Sequence, residues 1–176
     1  MRYHNITKDD MLNGDGLRVV LWVAGCSHCC KECQNPVTWD PAGGLLFDDA
    51  AKQEIFDQLD KSYISGITFS GGDPLHAANR LDVRNLMAEI KEKYPDKTIW
   101  CYTGYDFEKD VLDKMYFQWD FTHKFLSYLD VLVDGEFVEE KKVLDLRFRG
   151  STNQRILDVP KSLAAKKAVL WDEKGR

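Results

Sequence analysis

The chain has 176 residues, 44% of them hydrophobic and 30% charged, with a formal net charge of -5 and five cysteines. That length buries a core without disulfide staples; an acidic balance with no Lys/Arg patch excludes a nucleic-acid groove, and no run approaches the roughly 20 apolar residues of a membrane span. The opening MRYHNITKDDML is charged throughout and lacks the apolar core of a signal peptide. The expected compartment is therefore the cytoplasm, where clustered cysteines more often bind metal or do redox work than form disulfides.

In chain order, LRVVLWV (17–23) is a β-branched run that ends in a glycine, as a buried strand does. Residues 25–36, GCSHCCKECQNP, then hold four of the five cysteines. A helix follows over 49–59, with Ala51, Ile55 and Leu59 four apart, and a second strand over 66–70 (GITFS). Next come GGDPLH, a helix over 81–94 with Val83, Leu86, Met87, Ile90 and Tyr94 on one face, and a strand over 98–102 (TIWCY) that ends in TGY. A weaker helical pattern spans 107–115, and a fourth strand, 130–133 (DVLV), closes the series. Strands alternating with helices predict βαβ units and a mainly parallel sheet. In such folds the ligand sits at the C-terminal strand ends, which is where the cysteine loop, GGDPLH and TGY fall. No repeat, low-complexity tract or linker divides residues 1–176, so one domain is expected.

Cys26, Cys30 and Cys33 form C-x3-C-x2-C, while Cys26, Cys29 and Cys33 form C-x2-C-x3-C, so spacing leaves the middle ligand open. Three thiolates on a four-iron cluster, which normally takes four cysteines, would leave one iron free for a substrate. The fifth cysteine, Cys101, ends another strand and does not count as a ligand on sequence grounds. The competing reading is structural zinc, with four local cysteines or three plus His28 or His4. No Cys-x-x-Cys opens a helix in a thioredoxin-like context, which disfavours a redox pair.

NGDGLRVVLWVAGCSHCCKECQNPVTW (13–39), TFSGGDPLH (68–76), IWCYTGY (99–105), VLVDGEF (131–137) and FRGSTNQR (148–155) together resemble the family of anaerobic ribonucleoside-triphosphate reductase activating proteins, which are radical S-adenosylmethionine (SAM) enzymes. The resemblance covers most of the chain. It implies a [4Fe-4S] cluster held by Cys26, Cys30 and Cys33, with SAM chelating the fourth iron, and it makes Cys29 a bystander. It also implies one-electron cleavage of SAM and formation of a glycyl radical on the large reductase subunit, with an electron donor such as flavodoxin or ferredoxin. At this chain length the implied fold is a truncated, open (β/α) half-barrel of the radical SAM type, since a closed barrel typically needs about 250 residues.

Within that reading, Gly71 and Gly72 let backbone groups approach the amino-acid end of SAM, Asp73 adds a charge-assisted bond and Pro74 stiffens the exit. An ordinary strand-to-helix turn is the plain alternative. Glu32 and Gln34, flanking Cys33, are carried over as SAM contacts, although the family usually has glycine and tyrosine there; Asp15 likewise replaces a usual proline. Thr103 and Tyr105 either reach SAM or are turn residues, and Asp134 stands similarly. His28 and His76 either hydrogen-bond cluster sulfurs or hold their own loops. The stretch 149–155 either docks the partner or closes the domain, and 116–128 is extra core or a partner surface. The tail after Pro160 suggests a short helix. A radical SAM enzyme acting on a free metabolite and a zinc-binding adaptor remain the alternative functions.

Overall fold

The computed structural model describes residues 1–115 and 119–172. The strands are β1 (Arg2–Asp10), β2 (Arg18–Val23), β3 (Leu45–Leu46), β4 (Gly66–Gly71), β5 (Thr98–Tyr102), β6 (Val131–Asp134) and β7 (Arg155–Asp158). The helices are α1 (Asp49–Leu59), α2 (Arg80–Lys93), α3 (Trp119–Ser127) and α4 (Val159–Ala165), with a wide π-helical turn over Phe107–Lys114.

All seven strands form one sheet in the order β3-β1-β2-β4-β5-β6-β7. The middle four, β2, β4, β5 and β6, are parallel, and these are the four strands expected from the sequence. β1, β3 and β7 pair antiparallel at the flanks, so the sheet is mixed, with a parallel centre. β1 escapes the periodicity argument because only Ile6 along it is buried. Its pairing, with two register irregularities, and a Trp22 Nε1 bond to Thr7 Oγ1 at 2.7 Å hold it instead.

Side-chain alternation along the strands builds two apolar layers. On one face Val19, Leu21, Ile67, Phe69, Ile99 and Leu132 meet Ile55 and Leu59 of α1 and Val83, Met87 and Ile90 of α2. α1 starts where the Asp48 carboxylate accepts the Ala51 N–H at 2.9 Å, an N-cap that satisfies an orphan donor. The segment 116–128 lies partly outside the described residues, but Phe125 and Leu126 of α3 are fully buried, as extra core requires.

The other face carries Trp100, Val131, Val133 and Ile156, covered by Phe148 and Trp171. Arg18, inside the apolar β2 run, is fully buried there. Its guanidinium lies 5.4 Å from the Trp100 ring centroid and donates to Thr68 Oγ1 (2.8 Å), Ile67 O (2.7 Å) and Thr98 O (2.8 Å). Such a desolvated cation is tolerable only because these acceptors replace its water. No helix among the described residues is long and apolar enough to cross a membrane.

Candidate metal centre

All four parallel strands send their C-terminal ends to one edge of the sheet, where loops 24–35, 71–76, 103–106 and 135–138 meet. Backbone bonds join the first two: Gly72 N–H donates to Val23 O and Asp73 N–H to Gly25 O, both at 2.8 Å. The contact needs glycine, since a Cβ on Gly72 would sit 2.5 Å from Gly25 O. On the far side, Gly25 N–H donates to Thr38 O at 2.7 Å and Cys26 N–H to Trp39 O at 3.0 Å, which fixes both roots of the cysteine loop.

The four clustered cysteines are not equivalent. Cys26, Cys30 and Cys33 are half-buried and Cys29 is exposed. Burial pushes the Cys26 thiol up to about 11, opposed by the backbone N–H groups of His28 and Cys29, which favour its thiolate. Burial also raises Cys30, opposed by the Phe137 N–H, and Asn35 N–H points at Cys33 Sγ at 3.4 Å. Backbone N–H groups thus favour the Cys26 and Cys30 thiolates and one donates to the Cys33 sulfur, the surroundings that a metal-bound thiolate needs. Cys29 Sγ instead lies 3.9 Å from the Cys26 carbonyl, with the loop turned at φ +48°. Cys101 is wholly buried in the main core and its thiol is pushed well up by burial.

A tetrahedral zinc with Zn–S near 2.3 Å needs thiolates about 3.8 Å apart. Among the described residues, no three cysteine or histidine ligand atoms lie within 4.8 Å of one another. Three half-buried cysteines on one loop are a donor set that an iron–sulfur cluster accepts.

Asp73 is 1% exposed and its carboxylate is fully engaged. It accepts from Leu75 N–H (2.8 Å), Thr103 Oγ1 (2.9 Å), Gly104 N–H (3.0 Å) and His28 Nε2 (2.9 Å). Through these bonds Asp73 orders the neighbouring loops. Thr103 is also engaged, donating to Asp73 and accepting from Tyr105 N–H at 3.2 Å. Gly71 and Gly72 are half-buried at the seam, and Glu32 (φ +55°) and Gln34 are exposed. His76 accepts Ala78 N–H at 3.2 Å and so holds its own loop.

His28 does not face sulfur with either ring nitrogen. Nδ1 is 2.9 Å from Glu136 Oε1 and Nε2 is 2.9 Å from Asp73 Oδ2. Tyr105 packs edge-on at 4.5 Å, and a Cβ on Gly104 would strike the ring at 2.5 Å. The bond to Asp73, with Glu136 adding to it, outweighs burial and lifts the imidazole to about 8.

The sequence offers no role for Glu136 or Asn79, and Arg155 enters it only as the last residue of the 149–155 stretch. Asn79 is fully buried and donates to Asp73 O at 3.0 Å, bracing the GGDP turn from the start of α2. Arg155 bonds Asp134, Glu108 (2.8 Å) and Asp106 (3.5 Å). Asp134 thereby belongs to an ion cluster beside the site, where it also accepts Phe107 N–H at 2.9 Å. The polar 149–155 stretch is knitted to itself and its neighbours: Gln154 accepts Gly150 N–H at 2.9 Å and donates to Gly135 O at 3.0 Å, and Asn153 donates to Glu136 O at 2.8 Å. Only a carboxylate just past a glycine-ended parallel strand, as in VDGEF, hinted at Glu136.

Residues 12–157 match the family model described as a 4Fe-4S single cluster domain. Over 158 residues the chain is 41% identical to an anaerobic ribonucleoside-triphosphate reductase-activating protein of Haemophilus influenzae, covering 89% of this chain and 97% of that protein. It is 41% identical to the protein of that name from Enterobacteria phage T4, covering 89% of this chain and 93% of the phage protein. For the protein of that name from Escherichia coli strain K12 the identity is 39%, covering 88% and 96%.

Proposed function

The chain belongs to the family of anaerobic ribonucleoside-triphosphate reductase-activating proteins, and from that membership we propose that it is a radical SAM activase that generates a glycyl radical on the large anaerobic reductase subunit. Cys26, Cys30 and Cys33 would hold a [4Fe-4S] cluster, with SAM as the second cofactor. With both bound, the reduced cluster would supply one-electron reductive cleavage of SAM and hence the hydrogen-abstracting chemistry that makes a glycyl radical on the partner. Flavodoxin or ferredoxin supplies the electron, in the cytoplasm.

What the chain contributes is charge balance, orientation and exclusion. Backbone N–H groups favour the thiolates at Cys26 and Cys30, and the Asn35 N–H donates to Cys33 Sγ at 3.4 Å. Gly71 and Gly72 offer a side-chain-free surface for the amino-acid end of SAM, while Glu32 and Gln34, on the exposed rim, lie against the adenine. Asp73 and Thr103 act from behind, holding the Gly71–Gly72 turn and the 103–105 loop in register. A parallel core suits one radical SAM domain over 1–176, an open half-barrel that admits the glycine-bearing segment.

The supporting observation is the division of the cysteines: three half-buried ones, with backbone N–H groups favouring two of the thiolates and donating to the third sulfur, beside a glycine turn at the C-terminal ends of parallel strands. Anaerobic reconstitution followed by iron, sulfide and zinc analysis, then SAM, reductant and the reductase, tests the reading. Four irons per chain, 5'-deoxyadenosine and a glycyl radical signal on the partner are expected. A fully loaded cluster that cleaves no SAM, or one tightly bound zinc with no iron, overturns it.

A further inference from the structure

We propose that His28 is a positioning residue: it locks the cluster loop to both neighbouring loops and thereby sets how the cluster is reduced and how SAM is held. The proposal rests on the cluster and SAM reading above. Two contacts carry it. Through Nε2, His28 reaches Asp73, whose other partners are Leu75, Thr103 and Gly104. Through Nδ1 it reaches Glu136, the chain neighbour of Phe137, whose backbone N–H favours the Cys30 thiolate.

The ring thus works as a two-ended strut. Its Glu136 end holds the segment that carries the Phe137 N–H, a group that favours the Cys30 thiolate, and donors to cluster sulfurs tune reduction potential. Its Asp73 end fixes the Gly71–Gly72 turn relative to the cluster. The anchors on the far side are firm: Asn153 and Gln154 hold the 135–136 carbonyls, and Tyr105 and Gly104 wall the ring in. Neither nitrogen has a role as a metal ligand, because both are committed to carboxylates. A histidine that merely held its own loop would not span four segments.

The two ends can be separated with isosteres. Asn places an amide nitrogen near the Nδ1 position, and Gln places one near Nε2. His28→Ala, His28→Asn and His28→Gln are compared in the reconstituted protein by iron content, SAM equilibrium binding and EPR-monitored redox titration. The protein before reconstitution is compared by amide hydrogen exchange. In His28→Ala, iron content should stay at the wild-type level while SAM affinity falls roughly tenfold and the midpoint potential shifts. His28→Gln should recover SAM affinity but not potential, and His28→Asn the reverse.

Without cluster or SAM, His28→Ala should also speed exchange at Gly104 and Phe137. That arm stays decisive if the wild-type protein fails to hold iron or SAM, which would count against the functional reading alone. Unchanged exchange, affinity and potential in His28→Ala overturn the strut, as does loss of iron in all three variants, which would make His28 necessary for retaining the cluster.

Discussion

His28 Nε2 lies 2.9 Å from Asp73 Oδ2, joining residues 45 apart in sequence. Through this contact the cysteine loop after β2 and the glycine turn after β4 become one unit. The imidazole also touches Glu136, so one side chain ties together the ends of β2, β4 and β6.

The cysteine register gives the sharpest test. Cys29 is exposed and its Sγ lies 3.9 Å from a carbonyl, whereas Cys30 is half-buried and a backbone N–H favours its thiolate. Cys29→Ser should keep the iron and sulfide content and the visible absorbance of the cluster, and Cys30→Ser should lose them. The opposite pattern would move the ligand set to Cys26, Cys29 and Cys33.

Asp73 is a stability residue as well as a positioning one. Asp73→Ala strands three buried or half-buried donors and the His28 ring, and breaking such a buried charged network costs about 3 kcal/mol. Asp73→Asn keeps the shape but sets an NH2 against existing donors, so it should fall between. Anaerobic urea unfolding measures both; a loss below about 1 kcal/mol for the alanine variant would deny the hub.

Gly72→Ala tests the seam between the two loops. The added methyl has only 2.5 Å to the Gly25 carbonyl, a backbone atom that cannot swing aside as a side-chain tip can. Overpacking of this kind costs about 1–3 kcal/mol, and SAM binding should weaken with it. Thermal unfolding and equilibrium binding report the two effects separately.

Acid should find the ion cluster around Arg155. Burial would raise the Glu108 carboxyl, but the Ala168 N–H and the Arg155 guanidinium outweigh it and hold that carboxyl below its ordinary value. A carboxyl whose folded pKa is depressed stabilises the fold above its unfolded pKa, and that contribution fades as pH falls through the folded value. Stability should therefore drop below about pH 4.3. Arg155→Ala should lower stability at neutral pH and flatten the Glu108 part of this dependence; unfolding free energies measured from pH 3 to 7 would show it, and an unchanged slope would contradict it.

Much of this molecule is legible in its sequence, because local patterns report local physics. The four parallel strands are apolar runs that end in glycine or polar clusters, and α1 and α2 show their buried faces at helical spacing. The flanking strands are not legible in that way. β1 buries a single side chain, so its strand state comes from pairing with β2 and not from alternation.

The cysteine cluster, the glycine turn and their meeting at the strand ends follow from the sequence, since loop chemistry and strand order are written along the chain. What the sequence left open was the surroundings of Cys29 and Cys30 and the contacts of His28, Asp73 and Glu136. Those depend on which way a thiol or carboxylate points and which backbone N–H from a distant loop reaches it. Tertiary structure settled that orientation, turning Cys29 outward and burying Asp73 among donors from three segments. A carboxylate taken out of water must find partners wherever the fold brings them, and no pattern of neighbours in the chain can name partners 30 and 45 residues away.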